Sequence, residues 1–241
     1  MSTRSRYVLL NAVCLVTAAI GVALYFVSRR TIVHLCQEDG IVENLTSLFY
    51  FIASGLFVYG AVTLRGRNVW YWGLALMCFM VAGEEISWGQ RIFGVATPDA
   101  LKSANVQGEM NLHNIEGVHG SVRRLALLVV LGTCFAIPLG DRFVPAIRRL
   151  LDRIRMPVYP LAAVGIAALA VLLMVIPRLT GRVLFTLDEL GEVYLSIGFL
   201  AFGASALGQA RRWRAGWGSE PAPPTATTAT TSTEPALAQG R

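Results

Sequence analysis

The sequence predicts an all-α fold: a polytopic integral membrane bundle of about six transmembrane helices. Hydrophobic residues make up 54% of the 241-residue chain and charged residues only 15%. The apolar residues gather into long runs, and a hydrocarbon core of about 30 Å takes roughly 20 helical residues to cross. The basic residues, 20 arginines and Lys102, flank those runs instead of clustering apart from them. Six spans follow, at 7–27, 42–64, 69–88, 122–140, 158–176 and 187–208, within one membrane domain over 1–218.

The first span is longer than the core of a signal peptide, and no clean cleavage site follows it, so it is read as an uncleaved helix. Cys14 is preceded by Val13 where a lipoprotein signal wants a small residue. Cys14, Cys78 and Cys134 fall inside apolar runs and Cys36 stands alone in a loop, so the spacing predicts neither a disulfide framework nor a thiolate metal site.

The formal net charge of +6 is placed for topology and anionic headgroups, not for nucleic acid. The N-terminus, the 65–68 turn, the 141–157 loop and the start of the tail hold 12 basic residues, against 8 in and beside the alternate loops. The positive-inside rule therefore sets both termini in the cytoplasm of a cell that carries the protein in its plasma membrane. Within 141–157, Ile147, Leu150, Leu151 and Ile154 alternate with Arg148, Arg149, Arg153 and Arg155, the pattern of a helix lying in the headgroup plane. Trp213 and Trp217 beside Arg211, Arg212 and Arg214 mark the interface after the last span. Residues 219–241 are rich in Pro, Ala and Thr and read as a disordered cytoplasmic tail.

The longest polar connection is 89–121. Thr97-Pro98-Asp99 predicts a helix start, with the threonine hydroxyl as N-cap and proline at the first helical position. Asn105, Gln107, Glu109, Asn111, His113 and Asn114 follow, a dense series of ligand-capable side chains. Ile92, Phe93, Val95 and Leu101 favour a folded cap or re-entrant segment over disorder.

With this topology, 11 of the 15 acids and all three histidines, His34, His113 and His119, fall on the non-cytoplasmic side. Acids beside bilayer-length apolar sequence are costly and by default functional. Asp39, Glu43 and Ser47 are four apart on span two, and Asp188, Glu192 and Ser196 repeat that spacing on span six. In span three Glu84, Ser87, Trp88 and Arg91 share a face at i, i+3, i+4 and i+7, and His113, Glu116 and His119 share an arc if span four is helical from Leu112. Three chemistries fit these residues: divalent-metal binding, a carboxyl pair sharing a proton as acid and base, or ion pairs that merely close helix junctions. Asp39 and Asp188 also suit helix N-termini, where negative charge is favourable.

The stretches GEEISWGQRIFG at 83–94, TPDAL at 97–101 and NVQGEMNLHN at 105–114 resemble a family of multi-pass bacterial membrane proteins to which no established activity attaches. That resemblance implies where the site lies, not its reaction. Glu43-Asn44 and Ser47 are also similar to one helix of the alkaline-ceramidase-like membrane hydrolases, whose histidine-bearing helices have no counterpart here. The expected function is a membrane-embedded, metal-dependent hydrolase or transferase for a lipid or lipid-linked substrate. Glu84 and Glu85 would be ligand and base, His113 and Glu192 further ligands, and Arg91 a headgroup clamp. Asp39, Glu43, Glu109, Asn111 and Asp188 complete the polar candidates. A proton or divalent-cation transporter and a non-catalytic scaffold are the alternatives. The lipid bilayer is the one expected partner.

Overall fold

The computed structural model describes residues 2–37, 40–105, 108, 110–111, 115, 119–179 and 185–217. Among them the chain is helical, with a single isolated antiparallel bridge between Asn105 and Ile115. Four rods are long and apolar enough to cross a membrane: Thr3–Val27, Ile41–Thr63, Gly120–Phe143 and Thr186–Gly216. This is a membrane-embedded protein.

In chain order the helices are α1 (Thr3–Val27), α2 (Arg29–Leu35), α3 (Ile41–Thr63), α4 (Val69–Glu85), the short α5 (Gln90–Phe93) and α6 (Asp99–Ala104), α7 (His119–Leu131), α8 (Ile137–Phe143), α9 (Pro145–Ile154), α10 (Val164–Leu179) and α11 (Phe185–Trp217). A π-helical segment, Gly132–Ala136, joins α7 to α8 in one rod. Its cause is local: Pro138 has no N–H to give back to the preceding turn, and the Ile137 N–H reaches Gly132 instead.

Helix α11 is the axis. It packs most extensively on α3 and α10, while α4 lies against α3. Of the four long rods it is the most enclosed by protein; α1 and the α7–α8 rod turn most of their surface outward. Hydrophobicity does not drive helix association inside lipid, so close packing must do so, and small residues permit it. A Cβ on Gly203 would stand 3.1 Å from the Leu56 side chain and 3.3 Å from the Ala53 carbonyl, both on α3. A Cβ on Gly191 would stand 3.0 Å from the Ala170 carbonyl on α10. Hydroxyls and amides add bonds between helices: Tyr71 to the Ala206 carbonyl (2.7 Å), Ser54 to Ala75 (2.8 Å), Ser47 to Ala82 (2.8 Å) and Asn11 to Ala162 (2.7 Å). At mid-height the bundle is filled by rings, with Phe57–Phe202 centroids at 5.1 Å, Tyr159–Phe202 at 5.4 Å and Tyr50–Phe199 at 5.8 Å.

Three of the differences between the observed helices and the expected spans have a plain local cause. Span three stops at Glu85, not Trp88, because the backbone turns left-handed at Ser87. The fifth begins at Leu161, since Pro157 and Pro160 hold the chain extended before it. The last continues to Trp217, because Ala and Arg sustain a helix and nothing breaks it; at 33 residues it is about 50 Å long and outruns the hydrocarbon core. The amphipathic 141–157 segment forms α9, with Leu151 turned inward and Ile147 and Leu150 exposed. The expected disordered tail lies outside the described residues.

The α3–α11 contact makes a prediction. Replacing Gly203 with valine should destabilise the bundle by about 1–3 kcal/mol through overpacking against α3. Gly73→Ala, where a Cβ meets nothing within 4 Å, should be neutral or stabilising. Unfolding in mixed micelles by SDS titration measures both.

Candidate functional site

Helix α3 starts, α4 ends and α11 starts at the same end of the bundle, and each carries acids there. The carboxyls of Glu192, Glu189, Glu43 and Glu84 all lie within electrostatic range of Glu85. All five side chains are half-buried. Three helices thus bring together Glu84, Glu85, Glu43 and Glu192, as the sequence predicts, along with Glu189, which the spacing did not single out. Five carboxyls this close to apolar surroundings cannot all stay charged without protons or a cation to offset them.

Glu84 and Glu85 do different work, because successive helical residues project about 100° apart. The Glu84 carboxylate accepts a hydrogen bond from the indole Nε1 of Trp88 at 2.8 Å. Glu85 is the residue on which the charges of α3 and α11 converge. One turn inward on the α3 face from Ser47 sits buried Tyr50, in electrostatic range of Glu85 and Glu192. Tyr50 lies seven residues after Glu43 and so shares its face; that helical signal was present in the sequence and passed over.

The turn after α4 holds the longest run of left-handed backbone among the described residues. Ser87, Trp88 and Gly89 are consecutive left-handed residues, with φ of 45°, 56° and 74°. For non-glycine residues this conformation costs roughly 1–2 kcal/mol each. The expected helical face of Glu84, Ser87, Trp88 and Arg91 is therefore not formed. Trp88 folds back along α4 instead, its ring against Gly83, where a Cβ would stand 2.7 Å away, and edge-on to Phe79 at 6.1 Å.

Polar bonds fasten the following segment over this turn. Asn111 donates to the Ser87 hydroxyl (3.2 Å), Asn105 donates to the Asn111 backbone and side-chain oxygens (2.8 Å each), and the Met110 N–H donates to Gln90 (2.8 Å). The Gln90 amide also reaches the Thr97 hydroxyl, so Thr97 does not cap α6; Pro98 occupies the cap position with no side-chain bond. Ile92, Phe93 and Val95, which favour a folded segment over disorder, are exposed on and just after α5, which follows the acidic end, or mouth, of the bundle. Ile115 pairs with Asn105 and α7 is described from His119; His113 and Glu116 of the expected arc lie outside the described residues, as does the His119 side chain.

Asp188 is buried in the first turn of α11, one turn outward from Glu192. Ser196 bonds back to the Val193 carbonyl of its own helix, whereas Ser47 bonds across to α4, so the matching spacing on spans two and six produces different contacts. Asp39, Glu109 and His113 lie outside the described residues, as does the Arg91 side chain, although its backbone belongs to α5. Among the described residues no three His, Cys, Asp or Glu side chains form a metal-binding group. Glu84 and Glu192 would thus need His113 to complete the expected ligand set. No protein family, curated protein or solved structure matches this chain.

Near the mouth but outside the membrane spans, Cys36 is buried, and burial first, then the charge of Glu189, pushes its thiol up to about 11. A thiol that keeps its proton is a poor nucleophile. At pH 8 it should resist a water-soluble maleimide in the folded protein and react fully after unfolding in SDS, as read by mass. Gly89→Ala should lower stability by about 1–2 kcal/mol, since the new Cβ adopts a left-handed φ and meets the Phe93 ring at 2.9 Å. SDS titration checks that loss.

Proposed function

We propose that this chain is a six-span, multi-pass protein of a bacterial cell membrane, both termini cytoplasmic, and that its carboxyl cluster is the centre of a hydrolase or transferase for a lipid or lipid-linked substrate. The observation that carries this reading is the convergence of five carboxyls from α3, α4 and α11 at one end of a bundle whose middle is packed with aromatic rings.

A crowded carboxyl group has a chemical use. The member that holds a proton can donate it to a leaving group while a charged neighbour takes one from water or an acceptor hydroxyl. Glu85 and Glu192, from facing helices, fill those roles. Glu84, fixed by Trp88, and Glu43 and Glu189 maintain the field around them. Arg91, carried on α5, is the candidate to meet an anionic headgroup. Exposed Ile92, Phe93 and Val95 beside the mouth give an acyl chain an apolar approach, which favours a lipid over a water-soluble substrate.

The surplus of negative charge favours a second reading, binding of a divalent cation, either as the enzyme's metal or as transported cargo. The ring-filled middle counts against a conduit in this conformation.

Incubating the purified protein with a total bacterial lipid extract, with products read by mass spectrometry, tests the enzyme. Turnover by the wild type should fall at least about 100-fold in Glu85→Gln and in Glu192→Gln, with unchanged SDS-unfolding midpoints. Equal turnover in the variants, or none in any sample, would sink the catalytic assignment. Elemental analysis of the same samples decides the cation reading: a stoichiometric divalent ion lost in both variants supports it.

A further inference from the structure

The opposite end of the bundle holds a second site that the carboxyl chemistry does not use. Helix α3 has 23 residues and carries Glu43 in its first turn, so its far end stands about 30 Å from the acids. There a cleft of about 490 Å³ is lined by Leu64, Arg65, Arg67, Asn68, Val69, Trp70, Arg153, Ile154 and Arg155. The charged side chains lining it are all guanidiniums, four in number.

The cleft is built, not incidental. Helices α3 and α9 end in the same motif. The Gly66 N–H bonds to Ala61 and the Arg65 N–H to Val62; likewise the Met156 N–H bonds to Leu151 and the Arg155 N–H to Asp152. Such endings need a left-handed residue, for which glycine is the default. Here both positions are arginine, Arg65 at φ 60° and Arg155 at φ 51°, and both line the cleft. Buried Asn68 locks the two ends together: its oxygen accepts from the Trp70 and Tyr71 N–H groups at the start of α4, and its amide donates to the Arg155 carbonyl at 2.8 Å.

We propose that this cleft binds a phosphate group, that of an anionic lipid headgroup. Guanidiniums match phosphate oxygens in geometry and charge. Basic pockets between membrane helices hold such headgroups. The surroundings place the cleft at the lipid surface: Val69 and Trp70 on its wall are 70% and 39% exposed, and α9 beside it exposes Ile147 and Leu150. A soluble phosphate would meet the same arginines without using that apolar rim.

The test uses the full chain in neutral detergent, titrated with dioleoylphosphatidylglycerol, dioleoylphosphatidylcholine or inorganic phosphate. Thermal unfolding and native mass spectrometry are the readouts. Phosphatidylglycerol should raise the unfolding midpoint and remain bound at one molecule per chain, while the other two should not. The double variant Arg65→Gly/Arg155→Gly keeps both helix endings, because glycine suits them, so its lipid-free midpoint should match or exceed that of the wild type. Its phosphatidylglycerol affinity should fall roughly 30-fold, two arginines at about 1 kcal/mol each. Arg4→Gln/Arg6→Gln, the same charge loss away from the cleft, should leave affinity unchanged. The proposal is overturned if inorganic phosphate stabilises as well as the lipid, if phosphatidylglycerol has no effect, or if the two double variants behave alike.

Discussion

Everything at either end of this molecule depends on how closely α11 approaches α3 and α10. In lipid there is no gain from hiding apolar surface in other apolar surface, so two helices stay together only where their atoms fit and their polar groups meet. Gly203 lets α11 approach the α3 backbone at Ala53, and Gly191 does the same toward α10. The Tyr71 hydroxyl then ties α4 to the Ala206 carbonyl of α11. With α11 held there, Glu189 and Glu192 come within electrostatic range of Glu85.

The two ends are electrostatic opposites with a shared device. At the acidic end the left-handed run Ser87–Gly89 turns the chain, so Trp88 donates to Glu84 and Met110 is tied back to Gln90. At the basic end, left-handed Arg65 and Arg155 terminate two helices beside one cleft. In each place a residue that glycine would replace at lower conformational cost is kept beside the site. Strain of this kind persists only where surrounding contacts over-determine it. Between the ends the aromatic layer of Tyr50, Phe57, Tyr159, Phe199 and Phe202 separates the two chemistries.

Much of the site was legible from helical spacing. Glu43 and Ser47, and Glu192 and Ser196, fall on inward faces because a regular helix carries its four-residue period faithfully. The reading failed where the backbone stopped being regular. Treating 84–91 as helix placed Ser87 and Trp88 on the wrong face, and no residue pattern announces three left-handed residues in a row. Thr97 looked like an N-cap, yet its hydroxyl is taken by Gln90 from a different helix. Ile92 and Phe93 looked like the core of a cap, but asparagine and glutamine bonds hold that segment while its apolar side chains face outward.

The sequence by itself determined the all-α class and the approximate position of the apolar rods. Those follow from period, length and charge, which are local properties of a helix in a low-dielectric medium. Only the tertiary structure decided which acids meet, that Glu189 joins them and Tyr50 lies beneath, and that arginines ninety residues apart, Arg65 and Arg155, share a cleft. Those outcomes depend on where small residues let helices touch and on three turns of unusual hand, at Arg65, Ser87–Gly89 and Arg155. Both are set by contacts between segments far apart in the chain, which no window of sequence contains.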